Sequence, residues 1–377
     1  MPARVLHVLD ATTPSDAMDI LAPILPRHEH RLAALGHRST ELLARAAGIH
    51  EPIAFFHSMG WADPTGWRGM RRIIREFQPT HVHAWGIPAA IAVTMSRFKV
   101  QRLVTLVDMP RAGYLQMLQF IHKGGLWVSV SPCHWAVTTS WLKRELHARS
   151  IAADAVTLIR PAVCAGRGAA DGLREELGLL PEDGPVVLLG GDGGTGTLLA
   201  QPGMDPQAHG GRGGPRHDLG LWAAAILQQI FPRIRAIVRQ DPRGKPDPGL
   251  DRLLNNLPDD DVTVVAPADW PWSRLLSLAD LLLVTPDGPF AAGSIVHAFG
   301  ALVPVIGTPV DSVREHITDG HNGMLTASTR PREIAAAVER FFTQPALREK
   351  FTQQALADAG PRHDLGTLVR GYDTLYQ

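Results

Sequence analysis

Short apolar runs alternate with amphipathic stretches along most of the chain. RVLHVLD, THVHAWG, RLVTLVD, WAVTTS and VTLIRPAV are rich in branched and aromatic residues and read as strands. The stretches between them carry the helical period. That alternation predicts parallel strands joined by right-handed helical crossovers, hence an α/β fold with a doubly wound sheet. Near residue 165 the pattern gives way to CAGRGAADG, a run of small residues suited to a hinge. It restarts with PVVLLGGD, IRAIVRQD, VTVVAPAD, DLLLVTPD and VPVIGTP as further strands. In DLGLWAAAILQQIF, Leu219, Trp222, Ala223, Ile226, Leu227 and Ile230 repeat at helical spacing, which predicts one buried face. Ligands of such sheets lie outside the carboxyl ends of the strands, so the site is expected in a cleft between two domains.

Composition narrows the classes. A chain of 377 residues suits two domains, and 45% apolar with 20% charged residues is ordinary for a soluble globular protein. Lys and Arg total 37, as do Asp and Glu, so no net field draws the chain to nucleic acid or an anionic membrane. The basic run WRGMRRIIR reads as one solvated helix face. Cys133 and Cys164 make neither a disulfide framework nor a zinc site and read as buried, reduced thiols. The start, MPARVLHVLD, has no signal-peptide core, and no apolar run approaches the ~20 residues of a membrane helix. A cytoplasmic location follows as an expectation, with peripheral membrane contact left open. The 17 histidines are scattered, without HExxH or other paired spacing, so no metal is expected.

Two segments stand apart. Residues 190–218, rich in glycine, follow a strand and precede a helix, where a phosphate-binding loop sits. They contain neither GxGxxG nor a P-loop, and a lid and an insertion without a ligand both fit. The string GPRHDLG occurs at 214–220 and 360–366, each time before a helical pattern, with Asp218 and Asp364 as expected N-caps.

The order of these pieces resembles the GT-B glycosyltransferases, of the family 4 type that retains anomeric configuration. LAALGHRSTELL is similar to that family's L…GH.V segment, HVHAWG to its D-V-H-x-H strand end, and TTSWLKREL with VTLIRPAV to its approach to the hinge. LREELGLLPEDGPVVLLGG resembles the opening of its second domain, and HAFGALVPVIGTPVDSVREHITDGHNGML follows EA.A.G.PVI….G..E.I.DG..G.L almost position for position. The resemblance implies two Rossmann-like domains facing a central cleft. The first spans 1–165 and is completed by a C-terminal helix, 362–377, that crosses back to it. The second, 172–361, binds the nucleotide-sugar. The implied activity moves a sugar from a nucleotide-sugar donor to a glycan, lipid-linked or other acceptor, with no metal or other cofactor. The alternative is a GT-B-shaped protein without transferase activity that binds a nucleotide, a glycan or a protein partner.

Such transfer breaks a glycosyl–phosphate bond through an oxocarbenium-like transition state and leaves charge on a diphosphate. Fixed positive groups and N–H donors must be aimed at that charge. The family uses an Arg in a GR pair after the first strand of the second domain, a Lys in a KG pair, and two glutamates eight residues apart. Here the GR place reads GGDGG, with Gly191 on the donor side and Asp192 near where a cation would stand. The KG place holds Pro215 and Arg216, and Arg216 serves either as a phosphate ligand, with Arg212 as a further candidate, or as a solvated loop arginine. Aligning His297 with the second glutamate puts Pro289 at the first; His297 either binds a ribose hydroxyl or is packed. Asp287 is the nearest carboxylate, although a turn in TPDGP also explains it. Ala292, Gly293 and Ser294 fall at the helix start that offers N–H groups to phosphates, and Glu315 joins the donor-binding positions through its place in VREHITDG. Trp270 and Trp272 of ADWPW lie in the loop that holds the base, to stack on it or to fill the core. In the first domain TLVDMP keeps Asp108, with Val107 in place of the family's histidine, and His83 is expected at the same cleft edge. Asp108, His83 and Asp287 are the candidate catalytic side chains.

Overall fold

The computed structural model describes residues 3–10, 13–35, 39–56, 64–96, 98–108, 117–122, 133–163, 172–191, 215–240, 262–288, 291 and 293–377. The chain divides into one unit of Met1–Pro161 with Leu365–Gln377 and a second of Ala162–Asp364. The hinge expected at 164–171 and most of the glycine-rich loop, 192–214, lie outside the described residues.

In the first unit the strands are β1 (Arg4–Asp10), β2 (Glu29–Leu35), β3 (Ile53–Phe56), β4 (His81–Trp85), β5 (Gln101–Leu106), β6 (Cys133–Val137) and β7 (Val156–Leu158). They form one sheet in the order β3-β2-β1-β4-β5-β6-β7, every pair parallel. The helices are α1 (Ser15–Ile24), α2 (Ser39–Ala46), α3 (Pro64–Phe77), α4 (Ile87–Met95), α5 (Met117–His122) and α6 (Ser140–Ala148). Strands β2 and β3 were not legible as strands. The first opens on exposed charged positions, and the second is a four-residue edge strand with no fully buried residue.

The second unit holds α7 (Leu173–Glu176), β8 (Val186–Leu189), α8 (His217–Leu227), β9 (Arg235–Arg239), β10 (Thr263–Ala266), α9 (Trp272–Leu278), β11 (Leu281–Val284), α10 (Gly293–Gly300), β12 (Val305–Gly307), α11 (Asp311–Arg314), β13 (Met324–Leu325), α12 (Pro331–Thr343) and α13 (Pro345–Arg362). Its parallel sheet runs β10-β9-β8-β11-β12-β13. Strands β8 and β11 are buried along their whole length, as parallel strands covered on both faces must be. Along β8 the side chains alternate: Val186 and Leu188 join a core with Trp272, Ile295 and Phe299, while Val187 and Leu189 join one with Leu221, Ala224 and Phe341.

Helix α8 corrects the expected buried face. Trp222, Ile226 and Ile230 are 43%, 42% and 49% exposed, while His217, Gly220, Leu221, Ala223, Ala224 and Leu227 face inward. Close approach is the reason. A Cβ on Gly220 would stand 2.7 Å from Leu189 Cδ2, so the small-residue side is the one that fits against β8. Asp218 is also not an N-cap: it lies within the first turn, and the cap position is Arg216, which makes no side-chain capping bond.

Helix α14 (Leu365–Leu375) belongs to the first unit and lies on the sheet face opposite the main core. On β4, Val82 and Ala84 enter that core, which leaves His81, His83 and Trp85 on the other side. His83 pairs in register with His7 of β1 and stacks on Trp85 with ring centroids 4.3 Å apart. Its Nδ1 lies 2.6 Å from the Tyr376 hydroxyl and its Nε2 2.7 Å from Thr105 Oγ1. Tyr372 also reaches Thr105, at 3.1 Å, and Arg27 and His28 hold Asp373 at 3.0 and 2.8 Å. The helix is therefore docked by tyrosine hydroxyls on His83 and Thr105 and by the pairing of Asp373 with Arg27 and His28.

This interface carries a pH dependence. Burial and neighbouring histidines lower the imidazole of His7 to about 3 and that of His83 well below its ordinary value. In the unfolded chain both take up protons near pH ~6.5. Below that pH the unfolded state binds more protons, so this stabilisation is full above it and declines as pH falls. Each histidine should remove about 1.4 kcal/mol of stability per pH unit well below pH 6. Urea unfolding should give a flat stability from pH 8 to 7 and a steep loss from pH 6 to 4.5. A profile that stays flat to pH 5 contradicts the account.

Candidate functional site

The strand order of the second sheet reverses between β8 and β11, and at such a switch point the crossovers diverge and leave a crevice at the carboxyl ends. Gly190 and Gly191 follow β8 there, Thr285 to Asp287 follow β11, and the starts of α8 and α10 flank them. The Gly190 amide extends the ladder to the Leu283 carbonyl at 2.9 Å. A Cβ at Gly190 would overlap Val284 Cγ1 and come within 3.0 Å of Ser294 Oγ, so only glycine lets this turn sit against α10. Gly191 has φ +95°, a conformation glycine adopts without strain.

Three polar contacts tie the elements together. His217, 1% exposed at the start of α8, meets the Gly190 carbonyl through Nε2 at 3.1 Å. Thr285, also buried, donates from Oγ1 to the carbonyls of Pro215 and Arg216 at 3.1 and 3.0 Å. Thr308 Oγ1 donates to the Pro286 carbonyl. Arg216 is left-handed, φ 45° and ψ 53°, the conformation that a glycine of a KG pair would take readily. Its guanidinium bonds Asp218 and Asp287, which keep its pKa raised. The arginine read either as a phosphate ligand or as a solvated loop residue is thus engaged by two carboxylates.

Ser294, in the first turn of α10, is wholly buried, and among the described residues its Oγ has no hydrogen-bond partner. Gly293 opens that helix, and His297 lies one turn on at 8% exposure. Glu315 caps the carboxyl end of α11, its amide on the Asp311 carbonyl at 3.1 Å. Gly191, Arg216, Asp287, Gly293 and Ser294 thus gather around one sheet edge. Pro289, Ala292, Asp192 and Arg212 lie outside the described residues.

Other expected residues are placed differently. Trp270 is 4% exposed, set in a core with Leu275 and Leu276, with the Arg274 guanidinium 3.7 Å above its ring. Its faces are taken by protein, so it offers no platform to a base. Trp272 is equally buried, under Arg239 at 5.3 Å. His83 is 0% exposed beneath α14 and not at an open edge; the fixed alternation of β4 points it at Tyr376. Asp108 lies two residues beyond β5, partly buried. Sequence reasoning missed His217, Thr285 and Gly190. The available signals were a Gly-Gly pair directly after an apolar strand and a histidine at the next helix start. Among the described residues no group of three His, Cys, Asp or Glu is arranged to hold a metal, and no helix is long and apolar enough to cross a membrane.

This architecture is the GT-B glycosyltransferase fold, two Rossmann-like units built on parallel sheets. Residues 222–344 match the model of a family described as glycosyl transferases group 1. Among solved structures, HepE of Anabaena, in complex with UDP-glucose, aligns with TM-score 0.75 and 17% identity over 99% of each chain. A glycosyltransferase from Rickettsia africae gives TM-score 0.68 at 14% identity, over 100% of this chain and 98% of that one. WaaG, a glycosyltransferase involved in lipopolysaccharide biosynthesis, gives 0.69 at 14% identity over 99% of each. No curated protein matches the chain in sequence.

The Gly190 geometry yields a stability prediction. Gly190→Ala should cost about 1–3 kcal/mol through overpacking against Val284, read by chemical denaturation. A neutral substitution would mean that the turn is not held against the strand and α10.

Proposed function

We propose that the chain is a glycosyltransferase that moves a sugar from a nucleotide-sugar donor to a glycan or lipid-linked acceptor, with retention of configuration and without a metal. The observation that carries this reading is the buried, unpartnered Ser294 hydroxyl at the start of α10, beside the Gly190 turn at the switch point. The shared fold with HepE, which was solved with UDP-glucose, supports the same substrate class.

In this reading the donor diphosphate lies against the Gly191 turn and the first turn of α10. The amides at a helix start carry a partial positive charge of roughly half a unit and suit an anion. Ser294 Oγ adds a hydroxyl donor, and its proton can turn to whichever phosphate oxygen arrives. These groups are fixed before the reaction, so they stabilise charge developing on the leaving diphosphate without reorganising. His297 and Glu315 complete the donor contacts. The acceptor side belongs to the first unit, with Asp108 as its carboxylate candidate, and the protein acts in the cytoplasm.

Ligand binding and a conservative variant test the proposal. Melting curves with UDP, GDP, ADP and their sugars should reveal one pair that stabilises the protein saturably, by about 2.7 kcal/mol at a hundredfold excess over Kd. Ser294→Ala removes a hydroxyl that has no partner among the described residues, so apo stability should hold or rise. Donor affinity should drop by roughly 3- to 10-fold, the value of one hydrogen bond. If no nucleotide shifts the melting temperature, the donor site is wrong. Binding without release of nucleotide to any candidate acceptor would instead identify a binder that has lost transfer.

A further inference from the structure

Helix α8 turns its small residues inward because β8 leaves no room for larger ones: a Cβ on Gly220 would stand 2.7 Å from Leu189 Cδ2. That constraint accounts for Gly220, Ala223 and Ala224. It makes no demand on the outer face, where a surface helix ordinarily carries charged or polar side chains. The outer face of α8 instead carries Trp222, Ile226 and Ile230, all of them exposed. Trp222 is the only exposed tryptophan among the described residues. The chain stays helical past the end of α8, with the Phe231 amide on the Leu227 carbonyl at 2.7 Å. The three positions therefore form one stripe about 12 Å long. Single apolar side chains are ordinary at a surface, whereas a contiguous stripe marks a contact.

The charges around the stripe indicate what fits it. Residues 219–232 include no charged side chain, and Asp218 and Arg233 bound the stretch at its two ends. An anionic lipid surface finds no cation along it. A second copy of the chain fits better. Turned end for end about a two-fold axis at Ile226, it sets Ile226 against its own counterpart and Trp222 against Ile230 of the second copy, twice over. The same rotation brings the Asp218 end of one helix to the Arg233 end of the other and opposes the two helix dipoles. A parallel pairing would set each charge against its own kind.

We propose that the chain forms a two-fold dimer by antiparallel pairing of the outer faces of α8, centred on Ile226. This stands independently of the donor reading above. Three side chains per copy supply the centre of an interface rather than the ~800 Å² per partner of a standard stable one, so the dimer is reversible and of micromolar affinity.

Sedimentation equilibrium of the full chain tests this. The wild type should show a monomer–dimer equilibrium across roughly 1–100 μM. Ile226→Lys places like charges on the axis and should weaken the dimer by about 100-fold or more. Trp222→Ser removes the largest contact and should weaken it by about tenfold or more. Both positions are exposed, so the fold should hold; if one variant does not fold, the other carries the test by the same criterion. Cysteine pairs read the orientation. Under mild oxidation Ile226→Cys should link to its own copy, and Trp222→Cys should link to Ile230→Cys in a mixture rather than to itself. Leu180→Cys, also exposed on this unit, should stay unlinked. A wild type that remains monomeric throughout overturns the proposal, as does a dimer that persists in both Ile226→Lys and Trp222→Ser. Trp222→Cys linking chiefly to itself overturns the antiparallel pairing. A monomer that binds phosphatidylcholine vesicles, and loses that binding in Ile226→Lys, would assign the stripe to a lipid surface instead.

Discussion

Helices α8 and α10 run within contact distance of strands β8 and β11, and glycine is what admits them. Gly220 faces Leu189 where a Cβ would stand 2.7 Å from the methyl, and Gly190 has room for no side chain between Val284 and Ser294. The same holds at Gly307, where a Cβ would meet Val313 at 2.6 Å and Val284 at 2.9 Å. A parallel sheet has to be covered on both faces. When the covering helices sit this close, the loops at the strand ends are short of space and their polar groups are forced together. The His217 ring meets the Gly190 carbonyl, and the Thr285 hydroxyl the carbonyls of Pro215 and Arg216, for that reason.

The electrostatics at this edge follow from the same crowding. Arg216 is held in a left-handed conformation that costs an L-residue roughly 1–2 kcal/mol, and charge-assisted bonds to Asp218 and Asp287 offset it. The result is a guanidinium used as a brace. Positive potential for an anion then has to come from the backbone, where a helix start supplies it whatever its side chains are.

The first unit solves a different problem with the same topology. Its sheet turns His7, His83 and Trp85 toward α14, where the His83 ring lies between the hydroxyls of Tyr376 and Thr105, and Tyr372 reaches Thr105 in turn. A buried neutral imidazole needs one donor and one acceptor, and two hydroxyls supply both. Histidine on an alternating strand is readable as a half-polar face, but nothing in THVHAWG says that a helix almost 300 residues later will cover it. His83 was for that reason expected at an open edge.

Ten strands and the doubly wound class were determined by the sequence alone, because runs of branched apolar residues between helical periods permit few other arrangements. The glycines and the run from His297 to Leu325 likewise announced the second unit. Tertiary structure decided what the local pattern leaves open. It chose the Gly220–Ala224 side of α8 over the bulkier stripe of Trp222 and Ile226, because only small residues fit against Leu189. It buried Trp270 beneath Arg274, and it joined Arg216 to Asp287 across 71 positions. Periodicity is a property of neighbours along the chain and can be read there. Which side chain meets which charge is set by contacts between distant segments, and those exist only once the sheet has formed.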